Sequence, residues 1–299
     1  MPVTRERWTL PDGEALQIHL LPHVPGRPGV LVLHGLEGSA NARYVRGLLA
    51  RVAAAGWNGA AFDFRSCEVR DPNEAAPTPV ARGLYHAGKT DDLGFAVGRL
   101  RERWGQARFG VVGFSLGGNL LIKWLGESGA DSPAEAAVAI SVPFDLGACA
   151  AAIDAPGFWS GVYRERFLRS LRRKALRYAA AYPSGLDAAS IAACRTFAAY
   201  DDSVVARIFG FDSAADYWAR CSARRFLPDV RRPTLLIAGS DDPFVPPEAI
   251  PHDVIANNSQ ITLALCAGGG HVGFVEGTPW RPRYAAETLT MEFLAQHFA

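Results

Sequence analysis

A serine between two glycines, at the end of an apolar run, is the residue of this sequence best placed to do chemistry. Residues 109–114 form the apolar run, residues 113–117 read G-F-S-L-G, and residues 119–127 have the composition of a helix. This order of strand, tight turn and helix is typical of a nucleophile elbow, where flanking residues must be small because the turn is crowded. The pattern predicts that Ser115 is the nucleophile of an acyl-transfer reaction.

A histidine and an acidic residue that could activate this serine follow later in the chain. A serine hydroxyl needs a base to accept its proton, and imidazole has a pKa near neutral pH. Of the seven histidines, only His271 follows a late apolar run, in the glycine-rich loop of residues 268–271, so it is the predicted base. The orienting acid should lie between serine and histidine. Residues 239–246, G-S-D-D-P-F-V-P, offer Asp242, favoured by the proline-rich loop after it, with Asp241 as the alternative.

Two backbone amides are predicted to stabilise the oxyanion of the tetrahedral intermediate. Leu116 follows the nucleophile at a helix N-terminus, and Leu36 lies in the H-G-L-E-G segment of residues 34–38, after the first long apolar run. One such donor contributes about 10² to 10³ in rate. These groups predict carbonyl chemistry through an acyl-enzyme without a cofactor. The histidines show no spacing of metal ligands, so no metal site is predicted.

Apolar runs and helical segments alternate along the chain in a way that would bring these residues together. The runs at residues 30–33, 60–64, 109–114, 136–143, 233–239 and 261–265 are predicted strands, and residues 16–21 an edge strand. Helical patterns lie between them, which predicts a mostly parallel sheet with helices on both faces. Residues 146–228 lack a clear strand. We therefore expect a core of residues 1–145 and 229–299, with a helical cap of residues 146–228 inserted before the strand that precedes the acid.

Composition limits the classes of partner and the cellular location. The 31 Lys and Arg balance 30 Asp and Glu, so no global field favours nucleic acid. The five cysteines form no C-x-x-C pair, the first residues do not resemble a secretory signal, and no apolar run is long enough to span a membrane. A soluble, cytoplasmic protein with a small-molecule substrate is expected.

Two features of the predicted cap bear on what it contacts. Residues 164–178 carry seven basic side chains and one acidic one, with Leu168, Leu171, Ala175 and Tyr178 on one helical face. A solvated basic face is the favoured interpretation, and contact with phospholipid headgroups or an anionic substrate is the alternative. Aromatic residues of the cap predict an apolar acyl pocket, and the expected substrates are esters of short- to medium-chain acyl groups, with lipid esters as a further possibility. These aromatic residues are Phe158, Trp159, Tyr163, Phe167 and Trp218.

Seven motifs in order resemble those of the YheT-like α/β-hydrolases, a family of bacterial predicted esterases, plant embryogenesis-associated proteins and animal lipid hydrolases. They are HGLEGS at His34, YHAGKTDDL at Tyr85, GFSLGGN at Gly113, SVPFDL at Ser141, FGFDSAADYW at Phe209, DDPFVP at Asp241 and GGHVGF at Gly269. The resemblance covers nearly the whole chain. It implies an α/β-hydrolase fold, hydrolysis of carboxylic esters, including lipid esters, and a triad of Ser115, Asp242 and His271.

One loop departs from the family pattern, and two other functions stay open. Where the family pattern reads N-x-R-G-C-S-G-E, residues 63–68 read D-F-R-S-C-E, so two glycines are missing from a loop expected to border the acyl or alcohol pocket. The same triad would also serve a thioesterase or an acyltransferase. A fold does not determine a function, so a non-catalytic protein that binds an apolar ligand is a further alternative.

Overall fold

The computed structural model describes residues 2–68, 83–105, 107–182, 185–278 and 280–299. The strands are β1 Thr4–Thr9, β2 Ala15–Leu20, β3 Gly29–Leu33, β4 Asn58–Asp63, β5 Phe109–Phe114, β6 Ala136–Ile140, β7 Thr234–Gly239, β8 Ile261–Cys266, β9 Val275–Thr278 and β10 Arg281–Tyr284. The helices are α1 Arg43–Ala54, α2 Thr90–Trp104, α3 Leu116–Ser128, α4 Leu146–Asp154, α5 Phe158–Ala181, α6 Ala188–Ala193, α7 Phe197–Tyr200, α8 Arg207–Phe209, α9 Ala214–Cys221, α10 His252–Ala256 and α11 Ala285–Phe298. A π-helical segment, Asp201–Ala206, joins α7 to α8.

Eight strands form the main sheet, in the order β1-β2-β4-β3-β5-β6-β7-β8. Every residue of β3, β5, β6 and β7 is buried, which is why these strands read as continuous apolar runs. From β4 to β8 the neighbouring strands run parallel, and β1 and β2 are antiparallel at one edge. The carboxyl ends of the parallel strands therefore lie along one edge of the sheet, where loops can converge.

Helices cover both faces of this sheet. Leu48 of α1 and Leu294 of α11 belong to the apolar cluster on one face, and Leu93 of α2 and Leu120 of α3 belong to the cluster on the other. These four side chains are 2% exposed or less, so each helix buries one stripe against the strands. The predicted mostly parallel sheet with helices on both faces is confirmed.

Two parts of the fold differ from the sequence prediction. Strand β2 is not at the edge, because β1 pairs with it from Thr4 opposite Leu20 to Thr9 opposite Ala15. In β1 only Trp8 is buried, so an apolar pattern does not reveal this strand. The hairpin of β9 and β10 was also not predicted, and all of its strand residues are exposed.

The helices α4 to α9 lie between β6 and β7, in the segment for which the sequence predicts a cap. Leu168, Leu171 and Ala175 are the buried residues of α5, as the amphipathic pattern predicts. Asn119 of α3 connects the end of this segment to the core through a hydrogen bond from its Nδ2 to the Cys221 carbonyl, at 2.9 Å. That residues 146–228 act as a separate cap stays a prediction.

In the part of the chain that the structure describes, no helix has the length and apolar character needed to cross a membrane.

Candidate active site

Ser115 lies in a strained turn between β5 and α3. Its backbone has φ 52° and ψ −119°, a conformation that a residue with a side chain adopts only when its surroundings enforce it. A Cβ at Gly117 would lie 2.5 Å from the His34 carbonyl oxygen, and one at Gly113 would overlap the backbone of Gly117. The two glycines are therefore required for the turn to form. The turn places the Ser115 hydroxyl above the carboxyl edge of the sheet.

The structure brings Ser115, His271 and Asp242 into one hydrogen-bonded row. His271 Nε2 lies 2.7 Å from Ser115 Oγ, and His271 Nδ1 lies 2.8 Å and 3.0 Å from the two carboxylate oxygens of Asp242. Asp242 is 8% exposed and its Oδ1 also accepts from the amides of Phe244 and Val245, at 2.9 Å and 3.2 Å. The carboxylate is thus oriented by the loop after β7 and in turn orients the imidazole.

The neighbouring acid, Asp241, has a different role in this loop. Its Oδ1 accepts a hydrogen bond from the Gly270 amide at 2.9 Å, so it contacts the backbone of the histidine loop and not the imidazole. The Phe244 ring packs edge-on against the His271 ring, with 4.8 Å between centroids. Of the two acids that the sequence offers, Asp242 is therefore the one that can orient the histidine.

The loop after β3 passes close to the serine, since a Cβ at Gly35 would lie 3.1 Å from the Ser115 Cβ. The Gly35 amide donates to Tyr44 Oη at 3.0 Å, and the Glu37 amide donates to Tyr85 Oη at 2.9 Å. Among the hydrogen bonds of the described residues, the amide of Leu36 between them donates to no protein group, and neither does the amide of Leu116. Both leucines line the cavity at Ser115. Two unused N–H groups beside a hydroxyl are what an oxyanion site requires.

A buried group of polar side chains supports this loop, and the sequence analysis did not identify it. Glu37, at φ 54°, accepts at Oε1 from Tyr85 Oη at 2.8 Å and from Lys174 Nζ at 2.7 Å. Lys174 also donates to Cys67 Sγ at 3.0 Å. Burial by itself would lower the pKa of Lys174, but Cys67 and Glu37 outweigh it and the pKa is raised, so the ammonium stays charged.

His34 also holds the loop after β3 in place, through hydrogen bonds of both ring nitrogens. It is fully buried, its Nδ1 lies 2.7 Å from the Gly35 carbonyl, and its Nε2 lies 3.0 Å from the Phe64 amide. A backbone carbonyl requires N–H at Nδ1, and a backbone amide requires a lone pair at Nε2, so these contacts fix the neutral tautomer. Burial lowers the pKa of His34 to about 4, in agreement with a neutral ring that links the loop to the end of β4.

A cavity that is partly open to solvent extends from Ser115 and His271 beneath α4 and α5. Much of its wall is apolar, formed by residues that include Leu146, Ile153, Leu171, Phe197 and Val205. A cavity with this lining suits an apolar group.

The five aromatic residues predicted to line an acyl pocket separate into two groups. Phe167 and Trp218 do line the cavity. Phe158 and Trp159 do not, because they project from the first turn of α5 with 75% and 69% of their surface exposed. Tyr163 packs edge-on against Phe244, 5.0 Å between centroids, and is not part of the cavity wall.

Among the described residues that line the cavity, Asp201 is the one with an acidic side chain. Its Oδ2 accepts from Trp218 Nε1 at 2.8 Å. Burial raises the pKa of Asp201 to about 7, against the lowering effect of that hydrogen bond. Asp201 also begins the π-helical segment, a rare backbone form that is often found at functional sites. Within the described residues, no group of three or more His, Cys, Asp or Glu side chains is arranged to hold a metal ion.

Comparisons with known proteins agree with this architecture. A family model described as alpha/beta hydrolase fold matches residues 28–278. The putative esterase YheT of Escherichia coli is 36% identical over 297 residues, which cover 98% of this chain and 84% of that protein. The monoacylglycerol lipase of Saccharomyces cerevisiae is 28% identical over 87% of this chain, which spans only 57% of the yeast protein. Among solved structures, an esterase of Pyrococcus furiosus has a TM-score of 0.63 and 19% identity, over 100% of this chain and 92% of the other, a likeness of fold.

Proposed function

Because the chain belongs to the α/β-hydrolase family, and within it to the YheT-like esterases, we propose that it hydrolyses carboxylic esters through an acyl-enzyme on Ser115. The observation that carries the proposal is the continuous row from Ser115 through His271 to Asp242, 2.7 Å and 2.8 Å in its two shortest links. A serine hydroxyl in hydrogen-bond contact with an oriented imidazole is the arrangement that activates it for acyl transfer.

The first half of the reaction forms the acyl-enzyme. The imidazole carries its proton on Nδ1, donated to Asp242, so Nε2 accepts the proton of Ser115 Oγ as the oxygen attacks the ester carbonyl. The carbonyl oxygen becomes an oxyanion that the amides of Leu36 and Leu116 can bind. Collapse of this intermediate breaks the bond to the alcohol oxygen, and His271 returns the proton to the departing alcohol.

The second half of the reaction regenerates the serine. Water takes the position that the alcohol has left, and His271 Nε2 accepts one of its protons as the oxygen attacks the acyl carbonyl. The bond to Ser115 Oγ then breaks, the proton passes to that oxygen, and the carboxylic acid leaves. No step needs a cofactor, because the acid–base groups and oxyanion donors are all supplied by the chain.

The acyl group is proposed to be apolar and of medium length, because the cavity beyond Ser115 is lined mainly by aliphatic and aromatic side chains. We expect kcat/KM for p-nitrophenyl esters to increase from acetyl to octanoyl, by about tenfold for every two methylenes that become buried. A steady decrease along the series would contradict a roomy apolar pocket. Product analysis with added alcohol and thiol acceptors, and with matched thioesters, separates hydrolysis from the acyltransferase and thioesterase alternatives.

A second proposal concerns α5, which we infer contacts the surface of anionic membranes. Phe158, Trp159 and Val162 are 75%, 69% and 47% exposed at its first turns. Further along, Arg173 and Arg177 line a groove of mainly basic side chains on the outer face. Exposed aromatic residues followed by arginines on one helix fit a surface with apolar tails and negative headgroups. The same helix lines the cavity through Phe167 and Leu171, so this contact would bring lipid esters to the site.

Vesicle sedimentation tests this contact. Replacing both Arg173 and Arg177 with Glu is expected to weaken binding to vesicles of phosphatidylcholine with one-third phosphatidylserine by at least about tenfold, because each basic residue near such a surface contributes about 1 kcal/mol. The matched control replaces Arg43 and Arg46, which are exposed on α1, with Glu. It therefore makes the same change in net charge. Equal binding by wild type and both variants, or equal loss in both, would contradict a specific role for α5.

A further inference from the structure

Ser66 lies in a strained backbone conformation in the loop after β4. Its φ is 63°, in the left-handed region that favours glycine. The loop is fixed on either side of it, because Arg65 donates to both carboxylate oxygens of Asp92 at 2.7 Å and 2.6 Å, and the Cys67 amide donates to the Phe64 carbonyl at 2.8 Å. Such strain persists only where the surrounding structure enforces it, and it concentrates at functional sites.

The side chain of Ser66 adds a second unusual feature. Its hydroxyl is buried and has no hydrogen-bond partner among the residues that the structure describes, and the related family pattern has a glycine at this position. Ser66 also lines the cavity that contains Ser115 and His271. A buried hydroxyl without a partner is unfavourable in the free protein, and a ligand in the cavity is the group that could satisfy it.

The surroundings of Ser66 indicate which ligand oxygen would fit. Lys174 and Tyr85 also line the cavity, and both contact Glu37 in the loop that carries the Leu36 amide. Lys174 donates in addition to Cys67, the residue after Ser66. The Lys174 ammonium donates to Glu37 Oε1 and Cys67 Sγ and lies 5.5 Å from the centroid of the Tyr85 ring. An ammonium has a third proton, which a ligand oxygen can accept. Glu37 already balances the charge of Lys174 at 2.7 Å, so this wall suits a neutral oxygen better than an anion.

We propose that Ser66, together with Lys174, forms a polar subsite that binds a neutral hydroxyl or ether oxygen of the substrate close to its ester group. The inference rests on the proposed ester hydrolysis and narrows its substrate class to esters that carry an additional oxygen. The oxygen can belong to the alcohol or to the acyl part. Matched substrates therefore test each side: a 2-hydroxyethyl ester against a propyl ester, and a 3-hydroxypropanoyl ester against a butanoyl ester.

The test compares the ratio of kcat/KM for each matched pair in wild type, Ser66→Ala and Ser66→Gly. Both variants remove the hydroxyl, and Ser66→Gly also relieves the strained backbone, so that one is expected to fold at least as well as wild type. For one of the two substrate pairs, the preference for the oxygenated ester is expected to fall by about threefold to tenfold in both Ser66 variants. This is the effect of one hydrogen bond. The control is Ser141→Ala. Ser141 also has a positive φ and a buried hydroxyl that no described residue bonds, but it is not part of the cavity wall.

The subsite would be contradicted if the ratio of kcat/KM within each substrate pair were unchanged in Ser66→Ala and Ser66→Gly. It would also be contradicted if that ratio fell equally in Ser141→Ala. Binding of the same ester pairs to Ser115→Ala, with and without Ser66→Ala, gives a second readout that needs no turnover. If no ester is hydrolysed but the oxygenated ester still binds more tightly through Ser66, the proposed hydrolysis fails and the subsite stands. If hydrolysis proceeds without any such preference, the subsite fails and the hydrolysis stands.

Discussion

Ser115→Ala is expected to lower kcat/KM for a p-nitrophenyl ester by at least about 10⁴-fold, because it removes the oxygen that is hydrogen-bonded to His271 and that is proposed to form the acyl-enzyme. The protein should also lose the single adduct that a fluorophosphonate forms with the wild type, read by intact mass. Alanine has the same Cβ as serine in the strained turn, so the unfolding temperature should change little.

Two outcomes would contradict the assignment of Ser115. An adduct or substantial hydrolysis that persists in Ser115→Ala would mean that another residue is the nucleophile. A folded wild type that forms no adduct and turns over no ester would favour the non-catalytic binding protein. The Ser66→Ala variant is a useful companion, since it removes a hydroxyl from the same cavity and should retain the adduct.

Asp242→Asn is expected to have the second largest effect, a loss in kcat of about 10³ to 10⁴, by analogy with the same change in other Ser-His-Asp enzymes. The local hydrogen bonds give the reason. Oδ1 accepts from the amides of Phe244 and Val245, so the asparagine oxygen is expected to stay there. Its NH₂ group then faces His271 Nδ1, which must become an acceptor. The proton moves to Nε2, and the imidazole can no longer accept the proton of Ser115.

Asp241→Asn is the matched control, the same change one residue earlier. Asp241 accepts from the Gly270 amide, and an asparagine oxygen can replace that interaction, so kcat is expected to stay within about threefold of wild type. A loss in Asp241→Asn as large as that in Asp242→Asn would assign the effect to the loop as a whole. Full activity in Asp242→Asn would exclude Asp242 as the orienting acid.

Local patterns predicted much of the fold and of the candidate site. The central strands are buried on both faces and appear as apolar runs, and the elbow around Ser115 is a short-range structure whose glycines and serine are adjacent in sequence. By contrast, β1 and the hairpin of β9 and β10 are largely exposed and have little apolar pattern to detect. Their place depends on pairing with other strands, which composition does not report.

The sequence by itself determined the order of strands β2 to β8, the serine turn, and the residues available for a triad, since the patterns that indicate them are formed by neighbours in the chain. Only the tertiary structure decided which acid meets His271, which aromatic residues face the cavity, that Lys174 contacts Glu37 in the loop after β3, and that Ser66 lines the cavity. Lys174 and Glu37 are 137 residues apart, and Asp242 and His271 are 29 apart. Contacts over such separations depend on how loops and helices pack at the carboxyl edge of the sheet, and differences of a few ångströms there decide which side chains meet.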